Sequence, residues 1–274
     1  MRGLVVLLAI SCFAAVPPKI TPDALEALSW QARVELAQGQ LDAAERDART
    51  TRRLVENELK RRKLDSDPRL ATALGAAIEV EAQVLTQRGE RAAALEFLHK
   101  ELSVYSRTSI RARIQKNINL LNLEGQPAPP LDEAEYLVLK PAPLSALKGH
   151  QVLLFFWAHW CADCKADAPI VARVADEHAK AGLKLIAPTR LYGYTAADEN
   201  AAPAEELKYI EQVHRAYYSA LPNAPVPVST ENFLRYGVST TPTLVLIDRQ
   251  GIVRLYHPGA MTYEELEAAV REIR

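Results

Sequence analysis

The chain has 274 residues, 49% of them hydrophobic and 24% charged, which is the composition of a folded globular protein and excludes bulk disorder. Lysine plus arginine nearly balance aspartate plus glutamate, for a net charge of −1, so a dedicated nucleic-acid binder is not expected. Three cysteines are too few for a disulfide scaffold, and no apolar run after the first 18 residues is long enough to cross a bilayer.

The N-terminus reads as an export signal over residues 1–18: Arg2, then a short apolar run at 4–10, then small residues and Pro17-Pro18. Ala9-Ile10-Ser11-Cys12 is similar to a bacterial lipobox, in which Cys12 would carry a lipid. Ordinary cleavage, for instance after Ala14, is the other reading. A lipid on Cys12 would be the chain's link to a membrane. Export would also place the cysteines in an oxidising compartment.

Residues 19–124 are rich in Ala, Leu, Glu and Arg. Leu25, Leu28, Ala32 and Leu36, then Leu41, Ala44 and Ala48, recur at helical spacing. Thr21-Pro22 is an N-cap and first-turn pair. The pattern predicts helices over 23–37, 41–63, 68–87, 91–104 and 107–121. Gly39 and Gly89, 50 residues apart in similar surroundings, mark the turns of two helical hairpins. This half resembles tetratricopeptide (TPR) repeats, whose usual period is 34 residues, so the second helix would have to be extended. Such hairpins serve either as a partner-binding surface or as packing against a neighbour. The run Lys60-Arg61-Arg62-Lys63 reads as a solvated helix end, with anionic headgroups as the sharper alternative.

The prolines of residues 126–130 predict a linker. Beyond it the period changes. Strands are expected at 152–156, 183–187, 243–247 and 252–256, and helices at 163–179, 205–221 and 262–273, with a turn at 248–251. The order βαβαββα implies a mixed sheet covered on both faces, an α/β domain over residues 125–274.

The chemistry lies in Trp160-Cys161-Ala162-Asp163-Cys164, a C-x-x-C pair after a buried strand and at the start of a helix. Free N–H groups and the dipole at a helix N-terminus favour the thiolate of the first cysteine, which can attack a disulfide; the second cysteine, one turn on, resolves the mixed disulfide. Cys161 is thus expected to be the exposed nucleophile and Cys164 the buried resolver. A zinc site lacks a second cysteine pair, with His159 too near to close it alone. A copper site of the C-x-x-x-C kind needs a distant histidine, and here His257 is distant but the cysteine spacing differs. No metal is therefore expected.

Residues 156–165, Phe-Trp-Ala-His-Trp-Cys-Ala-Asp-Cys-Lys, resemble a thioredoxin-fold active site, and Thr241-Pro242-Thr243 resembles that fold's cis-proline loop. Residues 125–129, the Leu147-Lys148-Gly149 step, Asp167 and Pro169 are similar to the exported TlpA/ResA-like branch, with Asp in place of the more usual Glu. The resemblance implies a thiol–disulfide oxidoreductase that needs no cofactor. Its substrate would be a protein disulfide, with a separate thiol donor restoring the pair. It also implies a cis Pro242, a peptide-pairing Thr241 and a site lined by Trp157 and Trp160. Cytosolic thioredoxins carry a buried Asp six residues before the first cysteine, where this chain has Phe155. Asp167, one turn after Cys164, is then the expected acceptor of the Cys164 proton; a plain surface carboxylate is the other reading. Asp163 beside Cys161 disfavours the thiolate, which predicts a reductase rather than a strong oxidase.

Residues 190–194 follow the second strand on the Cys edge of the sheet and read either as a substrate-selecting loop or as an ordinary tyrosine-packed one. Tyr209, Tyr217 and Tyr218 read as packing. The contrasting function is an adaptor whose helical half binds a partner and whose C-x-x-C is not used.

Overall fold

The computed structural model describes residues 21–221 and 223–273, so the expected signal and Cys12 lie outside the described residues. Five helices come first: α1 Pro22–Ala37, α2 Leu41–Leu59, α3 Pro68–Gln87, α4 Arg91–Val104 and α5 Arg111–Asn122. Their starts follow from local chemistry. The Thr21 hydroxyl accepts the Ala24 N–H at 3.2 Å ahead of Pro22, and the Asp67 carboxylate accepts the Arg69 N–H at 3.0 Å ahead of Pro68. Gly39 and Gly89 follow α1 and α3 with φ of +74° and +82°, the left-handed geometry that glycine adopts freely at a helix end. Leu25, Leu74, Ile78, Leu98 and Ile114 form the core between these helices.

Two expected boundaries move. α2 stops at Leu59, and the extra length is taken up by a turn and a 3₁₀ segment, Leu64–Ser66. The basic run 60–63 therefore lies mostly beyond the helix, where Arg62 pairs with Glu58 at 3.5 Å and Asp67 at 3.8 Å. α5 starts at Arg111 rather than 107, because Ser109 and Thr108 are drawn into a turn capped by the Asp65 carboxylate.

The second half contains β1 Tyr136–Leu137, β2 Val152–Phe156, α6 Ala162–Ala179, β3 Lys184–Ile186, α7 Pro203–Tyr217, β4 Val226–Pro227, α8 Thr230–Arg235, β5 Thr243–Ile247, β6 Val253–Pro258 and α9 Tyr263–Glu272. The main sheet has the order β3-β2-β5-β6, with β2 parallel to β3 and antiparallel to β5. It is the expected mixed α/β sheet. α7 ends at Tyr217, short of the expected 221. The β1–β4 pair and α8 were not foreseen.

Every residue of β2 is buried, and alternation sorts them by face. Leu153 and Phe155 join the core under α6, α7 and α9, while Val152, Leu154 and Phe156 pack with Phe233, Tyr236 and Tyr256 on the other side. Leu123, from the end of the helical half, belongs to this second cluster. The proline-rich segment is not a free linker. Gly125 N–H donates to Val253 O at 2.8 Å, Ala128 N–H to Gly251 O at 2.9 Å, and the Glu124 carboxylate accepts the Tyr256 N–H at 2.9 Å. Gly237, with φ +61°, lies so close to α5 that a Cβ there would sit 2.4 Å from the Lys116 nitrogen. The two halves are thus held by backbone fit as well as by apolar packing.

Candidate active site

The β2–β5 register builds the site. Phe156 at the end of β2 faces Thr243 at the start of β5, which sets the segment after β2 beside the loop before β5. The first segment carries Cys161, the N-cap of α6; the second carries the cis Thr241–Pro242 bond, as the sequence led us to expect. Cys161 and Cys164 are joined in a disulfide, with Cα atoms 5.3 Å apart. The Cys161 sulfur accepts the Cys164 N–H at 3.0 Å and lies 3.5 Å from the Thr241 carbonyl oxygen. An anion at this sulfur would meet the free N–H groups of the helix start. Both cysteines are buried, Cys161 at 2% exposure and Cys164 at 0%, so the expected exposed nucleophile is a correction. The sulfur is covered where the two loops meet, 3.5 Å from the Thr241 carbonyl oxygen.

The two tryptophans divide the work. Trp157 is fully buried; its indole N–H donates to Ala187 O at 2.9 Å and its ring lies 4.2 Å from Tyr218. Trp160 is 49% exposed beside Cys161. Thr241 is half-buried and Pro242 buried.

Asp167 is buried on α6, one turn past Cys164. Its Oδ2 has no hydrogen-bond partner. Burial pushes its carboxyl above the ordinary aspartate value; the Met261 amide lowers it, Asp163 raises it further and His257 lowers it. A buried carboxylate that holds a proton more readily than usual suits a group that must take one from a thiol. His257, on β6, directs its Nε2 to the Ala260 carbonyl at 3.2 Å. Among the described residues no group of three or more His, Cys, Asp or Glu side chains is arranged to hold a metal ion.

Sequence reasoning missed one buried pair. His159, two residues before Cys161, and Glu206 on α7 are each 1% exposed and meet at 3.2 Å. Burial pushes the His159 imidazole below its ordinary value, while Glu206 pulls it the other way. The partners are 47 residues apart, and no local pattern announces the contact. Residues 190–194 do pack tyrosines, but they pack them at the site: the Tyr192 ring stands 5.6 Å from that of Trp160.

A profile of the family described as "Thioredoxin-like domain" matches residues 144–274. The thiol:disulfide interchange protein DsbE of Xylella fastidiosa is 29% identical over 149 residues, which is 53% of this chain and 66% of that protein. The thioredoxin-like protein YneN of Bacillus subtilis is 28% identical over 146 residues, covering 53% and 76%. The thiol-disulfide oxidoreductase ResA of Bacillus anthracis is 28% identical over 134 residues, covering 49% and 69%. The chain thus spans just under two thirds of the DsbE relative. Among solved structures, a crystal structure of a DsbE-like protein from Chlorobium tepidum is 26% identical and covers 55% of this chain and 96% of that one, with a TM-score of 0.41.

Proposed function

With residues 144–274 forming a thioredoxin-like domain whose relatives are thiol–disulfide proteins, we propose that the chain is an exported reductase of protein disulfides. The observation that carries the reading is the Cys161–Cys164 pair at the start of α6, with its leading sulfur 3.5 Å from the carbonyl before a cis proline.

In the reduced protein the Cys161 thiolate attacks one sulfur of a substrate disulfide. That S–S bond breaks, one substrate thiolate leaves and takes up a proton, and Cys161 is held in a mixed disulfide. Cys164 passes its proton to Asp167 and attacks the Cys161 sulfur. The Cys161–Cys164 bond forms, the mixed disulfide breaks, and the second substrate sulfur leaves as a thiolate that takes the proton back from Asp167 to become a thiol. Two electrons and two protons have moved to the substrate. A separate thiol donor then returns two electrons to the pair. Thr241 offers its backbone to the substrate chain, and Trp160 lines the approach. Asp163, exposed in the first turn of α6, favours the thiol form of Cys161 and so the reducing direction.

The charged, apolar and small-residue pattern of residues 1–18 supports export, with lipidation at Cys12 or plain cleavage as the processing step. The hairpins turning at Gly39 and Gly89 support a TPR-like surface for a protein partner.

The test is insulin reduction by dithiothreitol with the full chain as catalyst. The wild type accelerates it and Cys161→Ser does not, while Cys164→Ala accumulates a mixed disulfide with the insulin chain. Equal rates for wild type and Cys161→Ser would contradict the reading in favour of an adaptor.

A further inference from the structure

The exchange chemistry leaves His159 and Glu206 without a task, yet they are among the most buried polar side chains of the chain. Glu206 Oε1 faces His159 Nε2 at 3.2 Å and accepts the Tyr192 N–H at 2.5 Å; Oε2 accepts the Gly193 N–H at 2.7 Å. One carboxylate therefore ties together three stretches of chain: the turn leading to Cys161, the loop after β3, and α7. The rings of Tyr192, Tyr194 and Tyr209 stand edge-on around His159 at 5.5, 5.1 and 5.3 Å.

Removing a carboxylate from water into an aromatic pocket is unfavourable unless its oxygens are satisfied. Space alone would be filled at less cost by leucine. What the carboxylate does and leucine cannot is hold two successive backbone N–H groups of an otherwise irregular loop. The result is the placement of Tyr192, whose ring meets Trp160 at 5.6 Å on one side and lies under the Arg190 guanidinium at 4.4 Å on the other. Trp160 is the exposed aromatic next to Cys161.

We propose that Glu206 is a positioning residue that clamps the Tyr192 loop against Trp160, so that the two rings form one wall of the groove in which a polypeptide disulfide lies along Cys161 and Thr241. The inference rests on the reductase reading and deepens it: the wall serves substrates with a chain to lay against it. A small dithiol that reaches only the sulfur does not use it.

The experiment compares two substrates on the full chain. KM and kcat are measured for insulin, and the rate at which dithiothreitol reduces Cys161–Cys164 is measured beside them. For Glu206→Ala the insulin KM rises about tenfold more than the dithiothreitol rate falls, with kcat nearly held. Glu206→Gln, which keeps an acceptor for the loop, recovers most of the loss. Should Glu206→Ala not fold, Tyr192→Ala removes the wall and leaves the clamp, and the same rise in insulin KM is expected. An unchanged insulin KM in the folded variants overturns the inference, as does an equal loss with both substrates, which marks a merely structural role. A wild type no better than Cys161→Ser overturns the reductase reading itself, and the wall with it.

Discussion

Glu79 in the helical half and Asp167 in the thioredoxin-like half respond to seclusion in opposite ways, and Asp248, paired with Arg254 at 2.6 Å in the second half, follows Glu79. Between α3 and α5, Glu79 meets Arg113 at 2.7 Å and Lys116 at 3.2 Å. Burial pushes its carboxyl up, but the two cations outweigh burial and leave it below the ordinary glutamate value. On α6, Asp167 leaves its Oδ2 without a hydrogen-bond partner, and burial together with Asp163 outweighs the Met261 amide and His257 and leaves it raised. The helical half has one softer case, Glu101, which lies 3.8 Å from Arg52 and is also raised by burial. Elsewhere its buried acids are answered, as Glu81 is by Arg52 at 2.7 Å. A carboxylate paired with arginine stiffens a scaffold and is lost to proton transfer. One left unpaired costs stability and keeps its proton chemistry. That difference separates a support from a site.

The comparison can be broken at several points. The largest effect is expected from Cys161→Ser, which removes the attacking sulfur and brings insulin reduction to the uncatalysed rate. Next, Asp167→Asn slows release of the mixed disulfide by about a hundredfold, the usual scale of a lost general base, in a stopped-flow assay. The same substitution does not lower Tm at pH 7. A group whose native pKa is raised above its unfolded value costs stability once ionised, and the neutral isostere removes that cost. A fall in both rate and Tm would mean that Asp167 is structural.

Arg113→Ala is the mirror experiment. It strips Glu79 of its closest partner and is expected to destabilise the chain by about 2 kcal/mol, read from denaturant midpoints, while insulin reduction changes less than about twofold. A smaller effect is expected from pH. His214 is buried against Trp157 and Tyr218, and burial pushes its imidazole down while Glu211 pulls it up. The unfolded chain then binds a proton near pH 6.5 that the native chain refuses, so the stability present above that pH is lost as pH falls through it. Tm is expected to fall by about 3 °C from this residue between pH 7 and 5, and His214→Leu should flatten the decline.

What the sequence made legible follows the same division. Regular elements with long apolar periods were readable: α1, α3 and α4 fall within a residue of their expected bounds, and β2 and β5 match theirs. The C-x-x-C and the Thr-Pro-Thr stood out because each is a local pattern, and their meeting follows from the strand order. The two-residue strands β1 and β4 are too short to show alternation, and the six-residue α8 makes less than two helical turns. The burial of Cys161 depends on how two loops close, and His159–Glu206 on a contact across 47 residues. Neither leaves a trace in spacing.

The central claim is that Cys161 and Cys164 form a working redox couple, and an equilibrium redox titration of the full chain tests it most directly. The chain is held in a graded series of reduced and oxidised dithiothreitol, and the cysteines are counted by alkylation and mass. The account predicts a single two-electron transition confined to Cys161 and Cys164, at the reducing end of the range covered by thioredoxin-like proteins. A pair that stays oxidised or reduced across the whole series, or that exchanges only when the chain is unfolded, would contradict it.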